Sequence, residues 1–327
     1  MQRDATSPAE LLTSLANGHI VARALHVLAE LGVADALGDG VASADELAER
    51  TSLDAGALGR LLRLVAAYGV FAAVDSGYAQ TPASQLLRSD HPDSLLALVR
   101  MRGTPAMWNG FTELAHAART GKPVRDWPAL VRYYAGHPDE AAIFDMAMTA
   151  KSRRVVPAVV AACDFPSESV VADVGGGRGH LLDAVLEANG GLRGILYDLP
   201  HVVAERAESA RVRVVGGNFF EDAIPAADTY LLMDLLHDWT DDDARRILSA
   251  VRRSAPPTAR VLIVETLVAE TPGPHVSKTL DVTMLAVTGG RERTPSEHAA
   301  LLAATGWRFA RAVPTASQYS VVEAVAA

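Results

Sequence analysis

The chain has 327 residues, long for one compact core, so two domains are expected. A hydrophobic content of 49% with 21% charged residues is the balance of a folded chain rather than a disordered one. The net charge of −9 argues against a broad phosphate-binding surface, because nucleic-acid affinity comes largely from basic residues that release counterions. The single cysteine, Cys163, excludes an intrachain disulfide and a cysteine-based metal site. No basic segment followed by an apolar one opens the chain, and no apolar run approaches about 18 residues. A cytoplasmic enzyme or regulator that does not cross a membrane is the expected class.

In chain order, residues 9–37 carry Leu11, Leu12, Leu15, Ile20, Val21, Ala24, Leu25, Leu28 and Leu31 at helical spacing. Ser43 before Ala44-Asp45-Glu46 reads as an N-cap with acids in the first turn. Leu53-Asp54 opens a further helix, Ala57 to Tyr68, stopped by Gly69. Val70 to Val74 and Tyr78-Ala79, joined at Ser76-Gly77, read as a small hairpin. Helices followed by a two-stranded wing make residues 1–100 a winged-helix pattern. Residues 101–162 form a helical segment, broken at Gly121-Lys122-Pro123 and His137-Pro138. It holds Trp108, Phe111, Trp127, Tyr133, Tyr134 and Phe144 in a chain with only 6% aromatics. Such a concentration suits either a pocket lining or a helix-packing core.

From residue 169 the texture changes. Short apolar runs at 169–174, 194–198, 212–215, 229–234 and 260–265 alternate with helical stretches, and two more strands close the chain near 307–311 and 320–325. This is the rhythm of an α/β fold with a mostly parallel, seven-stranded, Rossmann-like sheet over 163–327. Asp173 ends the first of these strands, and Gly175, Gly177 and Gly179 permit a tight turn into a helix starting near His180. A dinucleotide fingerprint requires a sixth-position glycine, where this chain has His180. An acid before Gly-x-Gly-x-Gly suits S-adenosylmethionine (SAM) better: no pyrophosphate needs a seat, and a carboxylate can meet the cofactor's ammonium group. Asp198 ends the second strand, where a carboxylate can accept from both ribose hydroxyls.

The run Leu232-Met233-Asp234-Leu235-Leu236-His237-Asp238-Trp239 resembles the His-Asp-Trp signature of SAM-dependent O-methyltransferases. These include the plant caffeic-acid type and bacterial enzymes of aromatic natural-product biosynthesis. Asp198-Leu199-Pro200, Gly217-Asn218-Phe219-Phe220, Val264-Glu265, Asp281-Val282-Thr283-Met284-Leu285 and Gly289-Gly290-Arg291-Glu292-Arg293-Thr294 extend the likeness over nearly the whole chain. The resemblance implies His237 as general base, flanked by Glu265 and Glu292 holding its ring. It implies Gly175 and Gly177 at the methionine end of SAM, Asp198 and Leu199 at the ribose, Asn218 and Phe219 at the adenine, and Ser152 at the cofactor carboxylate. Trp108, Phe144, Met148, Asp281 and Met284 fall where an aromatic acceptor would lie. The winged-helix segment resembles the family's dimerisation domain, which implies a homodimer. The chain departs from the family at Asn218, usually Asp, and at Asp234, where plant relatives have Lys and cofactor contacts are open.

The residues suit the chemistry. SAM carries an activated methyl group, and the acceptor hydroxyl needs its proton removed, which histidine can do near neutral pH. A carboxylate on the other ring nitrogen fixes the tautomer. No metal is required, and the remaining histidines show no ligand spacing such as His-Glu-x-x-His. Asp241-Asp242-Asp243 reads as a helix N-terminus.

Two rival readings follow from the same residues. A winged helix also serves DNA-binding regulators, but residues 1–100 hold seven Arg and no Lys against twelve acids, a poor match for phosphates. The same fold could also bind SAM without transferring methyl, in a decarboxylation, hydroxylation or pericyclic step. The acceptor is expected to be an oxygen, with nitrogen or carboxylate as alternatives.

Overall fold

Capping sets the helices at the N-terminal end. In the computed structural model, which describes residues 7–327, Ser7 closes a capping box with Glu10 at the start of α1 (Pro8–Glu30). The helical run expected through residue 37 breaks at Gly32, which has a φ of 66°, and resumes as α2 (Val33–Leu37). A short strand β1 (Val41–Ala42) precedes α3 (Ala44–Thr51), whose N-cap Ser43 forms a second capping box with Glu46. Asp54 caps α4 (Ala55–Ala67). The hairpin β2 (Phe71–Val74) and β3 (Gly77–Gln80) follows. β1 adds to it, giving a three-stranded antiparallel sheet in the order β1-β3-β2. Two residues of strand carry too little periodicity to be read from sequence. Leu58, Leu62 and Val65 of α4 pack with Leu28, Val33, Leu37, Leu47 and Phe71 into one core.

The helical segment continues as α5 (Pro82–Gln85), α6 (Leu96–Gly103), α7 (Pro105–Thr112), α8 (Leu114–Thr120), α9 (Trp127–Gly136) and α10 (Pro138–Ala161). Contacts divide the chain into two units. One comprises residues up to 108 with 137–150, the other residues 109–136 with 151–327, so the 101–162 segment contributes to both.

The second unit holds the large sheet. Its strands are β4 (Val170–Val174), β5 (Arg193–Asp198), β6 (Val212–Gly216), β7 (Thr229–Met233), β8 (Arg260–Glu265), β9 (Trp307–Pro314) and β10 (Ser320–Ala326), in the order β6-β5-β4-β7-β8-β10-β9. The first five are parallel, and β10 runs antiparallel to both β8 and β9. Tyr230 and Leu232 of β7, with Val261 and Ile263 of β8, enter one core cluster. Their neighbours Leu231, Leu262 and Val264 enter the other. Both faces are covered, which is why these strands read as unbroken apolar runs. The covering helices are the C-terminal part of α10 (Val155, Val156, Val159) with α11 (His180–Ala188), α12 (Pro200–Val203), α13 (Asp241–Ser254) and α15 (Pro295–Ala303), whereas α14 (Val276–Val287) packs with α8. Asp241, Asp242 and Asp243 do form the first turn of α13, behind the N-cap Thr240. Among the described residues no helix is long and apolar enough to cross a membrane.

Parallel pairing puts the ends of β4, β5, β7 and β8 on one edge. The chain leaves β4 outward to β5 and β6, then returns to β7 on its other side. The β4–β7 gap is therefore the switch point where open α/β sheets bind ligands.

Candidate active site

The glycine turn at that point is built as its sequence requires. Gly175, Gly177 and Gly179 have φ values of 70°, 58° and 83°, a region L side chains rarely adopt. The Gly175 N–H donates to the Tyr197 carbonyl (2.8 Å), and that of Gly177 to Asp198 Oδ2 (2.8 Å). A Cβ placed on Gly177 would meet nothing within 4 Å, so the turn has an open side for a ligand to approach. Asp173 lies on the other side. It is 1% exposed, and a Cβ at Gly176 would fall 2.5 Å from its Cγ. Burial and neighbouring Asp198 push its carboxyl up to about 7. Asp173 is thus buried against the turn, and its Oδ2 has no hydrogen-bond partner among the described residues; its meeting with a cofactor ammonium group stays an expectation.

Asp198 occupies the end of β5. Its Oδ1 accepts from the Leu199 N–H (2.7 Å) as its Oδ2 holds Gly177, so the acid links two backbone segments of the cradle. Asn218 Oδ1 accepts from the Phe220 N–H (3.0 Å), and its own N–H donates to Asp222 (2.8 Å). One amide lone pair thus shapes the loop. That loop presents Phe219, whose ring meets Phe220 and Trp239 edge-on at 4.8 and 5.9 Å. Ser152 follows Lys151 on α10 and is half-buried.

His237 sits in a 3₁₀ turn, Leu236–Asp238, just beyond β7. Three anchors fix it. Its N–H donates to Glu265 Oε1 (2.9 Å), its carbonyl accepts from the Arg291 N–H (2.9 Å), and its Nδ1 meets Glu292 Oε1 at 2.9 Å. Glu265 was expected beside the ring; it holds the main chain instead, because β8 ends alongside β7 and its last side chain reaches the neighbouring backbone. Among the described residues, Glu292 is the one that hydrogen-bonds the imidazole. Glu292 is held in turn, its N–H donating to Asp281 Oδ1 (3.0 Å), so Asp281 acts on the acid of the site.

The other ring nitrogen, Nε2, stands 3.9 Å from both Asp234 Oδ1 and Asp238 Oδ1. Burial alone would lower the imidazole pKa, but Asp238, Glu292 and Asp234 outweigh it and push the ring up to about 10. Burial raises Asp238 to about 6 against the pull of His237 and Lys151.

Asp234 has a φ of 50°, unusual for a non-glycine residue, and such backbone concentrates at functional sites. Its carboxylate receives Lys151 Nζ (2.9 Å) and the Tyr319 hydroxyl (2.9 and 3.1 Å). Burial would raise its pKa; Lys151 and His237 hold it below the ordinary aspartate range. The position where plant relatives carry a lysine is thus an acid with a lysine brought to it from α10.

Sequence reasoning missed Lys151, Tyr319 and the role of Arg293. Arg293 is 1% exposed and donates to the carbonyls of Leu236 (3.0 Å) and Trp239 (3.1 Å) and to Asp241 (3.0 Å). It ties both ends of the His-Asp-Trp turn to the loop carrying Glu292. The only available signal was its place one residue beyond Glu292.

The expected acceptor-lining residues divide between the units. In the first, Trp108 meets His26 edge-on at 5.5 Å, and Phe144 and Met148 are half-buried on α10. In the second, Met284 is 8% exposed on α14, three residues from Asp281.

Comparison with known proteins agrees with this construction. An O-methyltransferase domain matches residues 111–308, and an O-methyltransferase dimerisation domain matches residues 13–90. The chain is 37% identical to phenazine O-methyltransferase PhzM of Lysobacter antibioticus, over 96% of this chain and 95% of that protein. It is also 37% identical to the mitomycin biosynthesis 6-O-methyltransferase of Streptomyces lavendulae, over 93% and 90%. The crystal structure of CalO1, a methyltransferase of calicheamicin biosynthesis in its S-adenosylhomocysteine-bound form, superposes with a TM-score of 0.87 at 37% identity, covering 100% of both chains. Fold, edge placement of the site residues and similarity along the whole chain converge: this chain belongs to the SAM-dependent O-methyltransferase family, with an N-terminal dimerisation domain.

Proposed function

We propose that this chain methylates a hydroxyl of an aromatic small molecule in natural-product biosynthesis, with His237 as the general base. The observation that carries the reading is the Glu292–His237 pair: a carboxylate on Nδ1 leaves Nε2 to face the acceptor. SAM fits the edge of the sheet. The open side of Gly177 and the Asp198 carboxylate would hold its methionine end and ribose, and Ser152, Leu199, Asn218 and Phe219 border the same crevice in this reading. The acids around His237 suit a cationic ligand. When bound, SAM supplies an activated methyl group on sulfur.

The chain's own residues do the rest. Glu292 keeps the proton on Nδ1, so Nε2 is the atom that takes the acceptor's proton. Asp234 and Asp238 stabilise the imidazolium formed by that transfer. Trp108, Phe144, Met148, Asp281 and Met284 would border the acceptor, Asp281 acting through Glu292. Base catalysis of this kind contributes about 10²–10⁴-fold. The reading is tested by incubating the chain with methyl-labelled SAM and a panel of phenols, phenazines and naphthoates. Label should enter an aryl ether; turnover of an acceptor with no methyl gained would refute it.

Asp198→Ala removes the partner of both the Gly177 and Leu199 N–H groups. It should weaken S-adenosylhomocysteine binding at least about tenfold in calorimetry, since hydrogen bonds to a charged group are worth ~1.5–3 kcal/mol. Unchanged affinity would remove Asp198 from the cofactor site.

The homodimer reading is supported by the dimerisation-domain match and by α1, which exposes Leu11 (51%), Leu12 (69%) and Leu15 (69%). A leucine side chain contributes ~1.5–3 kcal/mol when buried. Leu12→Glu combined with Leu15→Glu should therefore give monomer in sedimentation at micromolar concentration, where the parent chain sediments as a dimer. A variant that still sediments as a dimer would place the interface elsewhere.

A further inference from the structure

A second buried histidine stands behind the catalytic one. His298, in the second turn of α15, is fully buried with its Nε2 3.5 Å from Glu265 Oε2, and Glu265 is fully buried too. Among the described residues neither ring nitrogen of His298 nor Glu265 Oε2 has another hydrogen-bond partner. Buried polar groups seldom stay unpaired, because each one costs its full desolvation. Here two such groups face each other at the outer limit of hydrogen-bond distance, and each is the other's obvious remedy. Glu265 Oε1 already carries the His237 N–H, so the pair lies one residue behind the base.

We infer that His298 is a positioning residue for methyl transfer: as a neutral imidazole it donates Nε2–H to Glu265 Oε2, and thereby keeps Glu265 ionised and its Oε1 on the His237 backbone. The inference rests on the reading of His237 as the base. The charges around the pair support it. Burial pushes Glu265 up to about 7, with His237 and Arg293 pulling it down and Glu292 pushing it up. Its charge therefore depends on the donors it is given. Burial and Arg293 push His298 down to about 4, against Glu297 and Asp241, so it can donate without being an ion. A neutral imidazole has one N–H, and the carboxylate beside Nε2 places it there.

His298 acts at a distance through Glu265. An ionised Glu265 adds to the field of Asp238, Glu292 and Asp234 on His237 and stabilises its imidazolium. Without a donor on Oε2, Glu265 takes up a proton and that contribution disappears. The loop 289–294 and the start of α15 then hold the base from both sides, with Glu292 on its ring and His298 behind its backbone.

The test is the pH profile of turnover by the full chain at saturating cofactor. In His298→Phe the acidic limb, where His237 loses its proton, should move to lower pH by about one unit, the scale on which a nearby charge shifts a pKa. His298→Gln, whose amide can donate to Oε2, should bring the limb back. A role in packing alone would lower turnover equally at every pH, and a folded His298→Phe with an unmoved limb overturns the inference. If His298→Phe does not fold, the unmodified chain decides. Nitrogen-15 spectra of its histidines should show His298 neutral and protonated on Nε2 from about pH 5 to about pH 9. A proton on Nδ1 instead overturns the inference. Loss of the His237 assignment would not alter those spectra, so the two claims fail separately.

Discussion

His237→Ala should lower turnover at least about a hundredfold while S-adenosylhomocysteine still binds within a few-fold of its normal affinity. The separation follows from geometry. The glycine turn hangs from β4 and β5 through Tyr197 and Asp198, whereas the His237 side chain reaches Glu292 and the carboxylates of its own strand end. On the proposed reading, removing the ring deletes the proton acceptor and leaves the cradle. Single-turnover quench measurements with calorimetry on the same variant check both halves. Near-normal turnover would remove His237 as the base. The same histidine carries a pH signature. In the ligand-free chain its imidazole is pushed up to about 10, so it is charged at neutral pH and must be brought down before it can accept a proton. A cation beside the same carboxylates does that. Proton resonances of the His237 ring should therefore titrate near about 10 in the free chain and at lower pH with SAM, with a smaller change for the uncharged thioether product.

Gly290→Ala should cost as much, from a residue with no chemistry of its own. A Cβ there would lie 1.9 Å from the His237 carbonyl oxygen and 2.5 Å from the Asp238 carbonyl carbon. Both are backbone, so neither can swing aside. The 289–294 loop lies so close to the His-Asp-Trp turn that only glycine passes, and the same close approach lets the Arg291 N–H reach the His237 carbonyl. A methyl group pushes the loop outward and takes Glu292 off Nδ1. Misplacement of a catalytic group by about 1 Å can cost ~10²-fold. Loss of about a hundredfold in kcat with KM for the cofactor little changed is the expected result. A Gly290→Ala variant at parental turnover would show that the loop's approach does not matter to the base.

How far the sequence could be read depends on range. The five parallel strands were legible because each is a short, mostly apolar run closed by a glycine or an acid, and the two closing strands because of their apolar residues at 307–311 and 320–325. Ser43 was legible as a cap, and Leu53-Asp54 as the opening of a helix, because helix starts are settled within four residues. The break at Gly32 was not, since the apolar spacing continues across it. The acid partners of His237 were found by residue type and place, but not by what they touch. Glu265 and Glu292 are equally good ring partners on paper, and only the alignment of β8 beside β7 sends Glu265 to the backbone. Lys151 and Tyr319 were invisible because their partner Asp234 lies 83 and 85 positions away, and no local pattern marks such a pairing. His298 carries no local signal for the same reason: Glu265 lies 33 positions away.

The holding of His237 also bears on how such an enzyme diversifies. The hydrogen-bonded anchors of His237 (Glu265, Arg291, Glu292) and the groups that brace them (Arg293, Asp281) come from the segment 265–293, while the long helical stretch between the wing and the large sheet supplies Lys151, which holds Asp234 beside the ring. If that stretch lines the acceptor, as proposed, substitutions there other than at Lys151 would remodel the shape offered to it without touching the groups that hydrogen-bond His237. On that reading acceptor range and catalytic competence would be separately mutable except at Lys151, so that new aromatic scaffolds would be explored one helix residue at a time with the base still held.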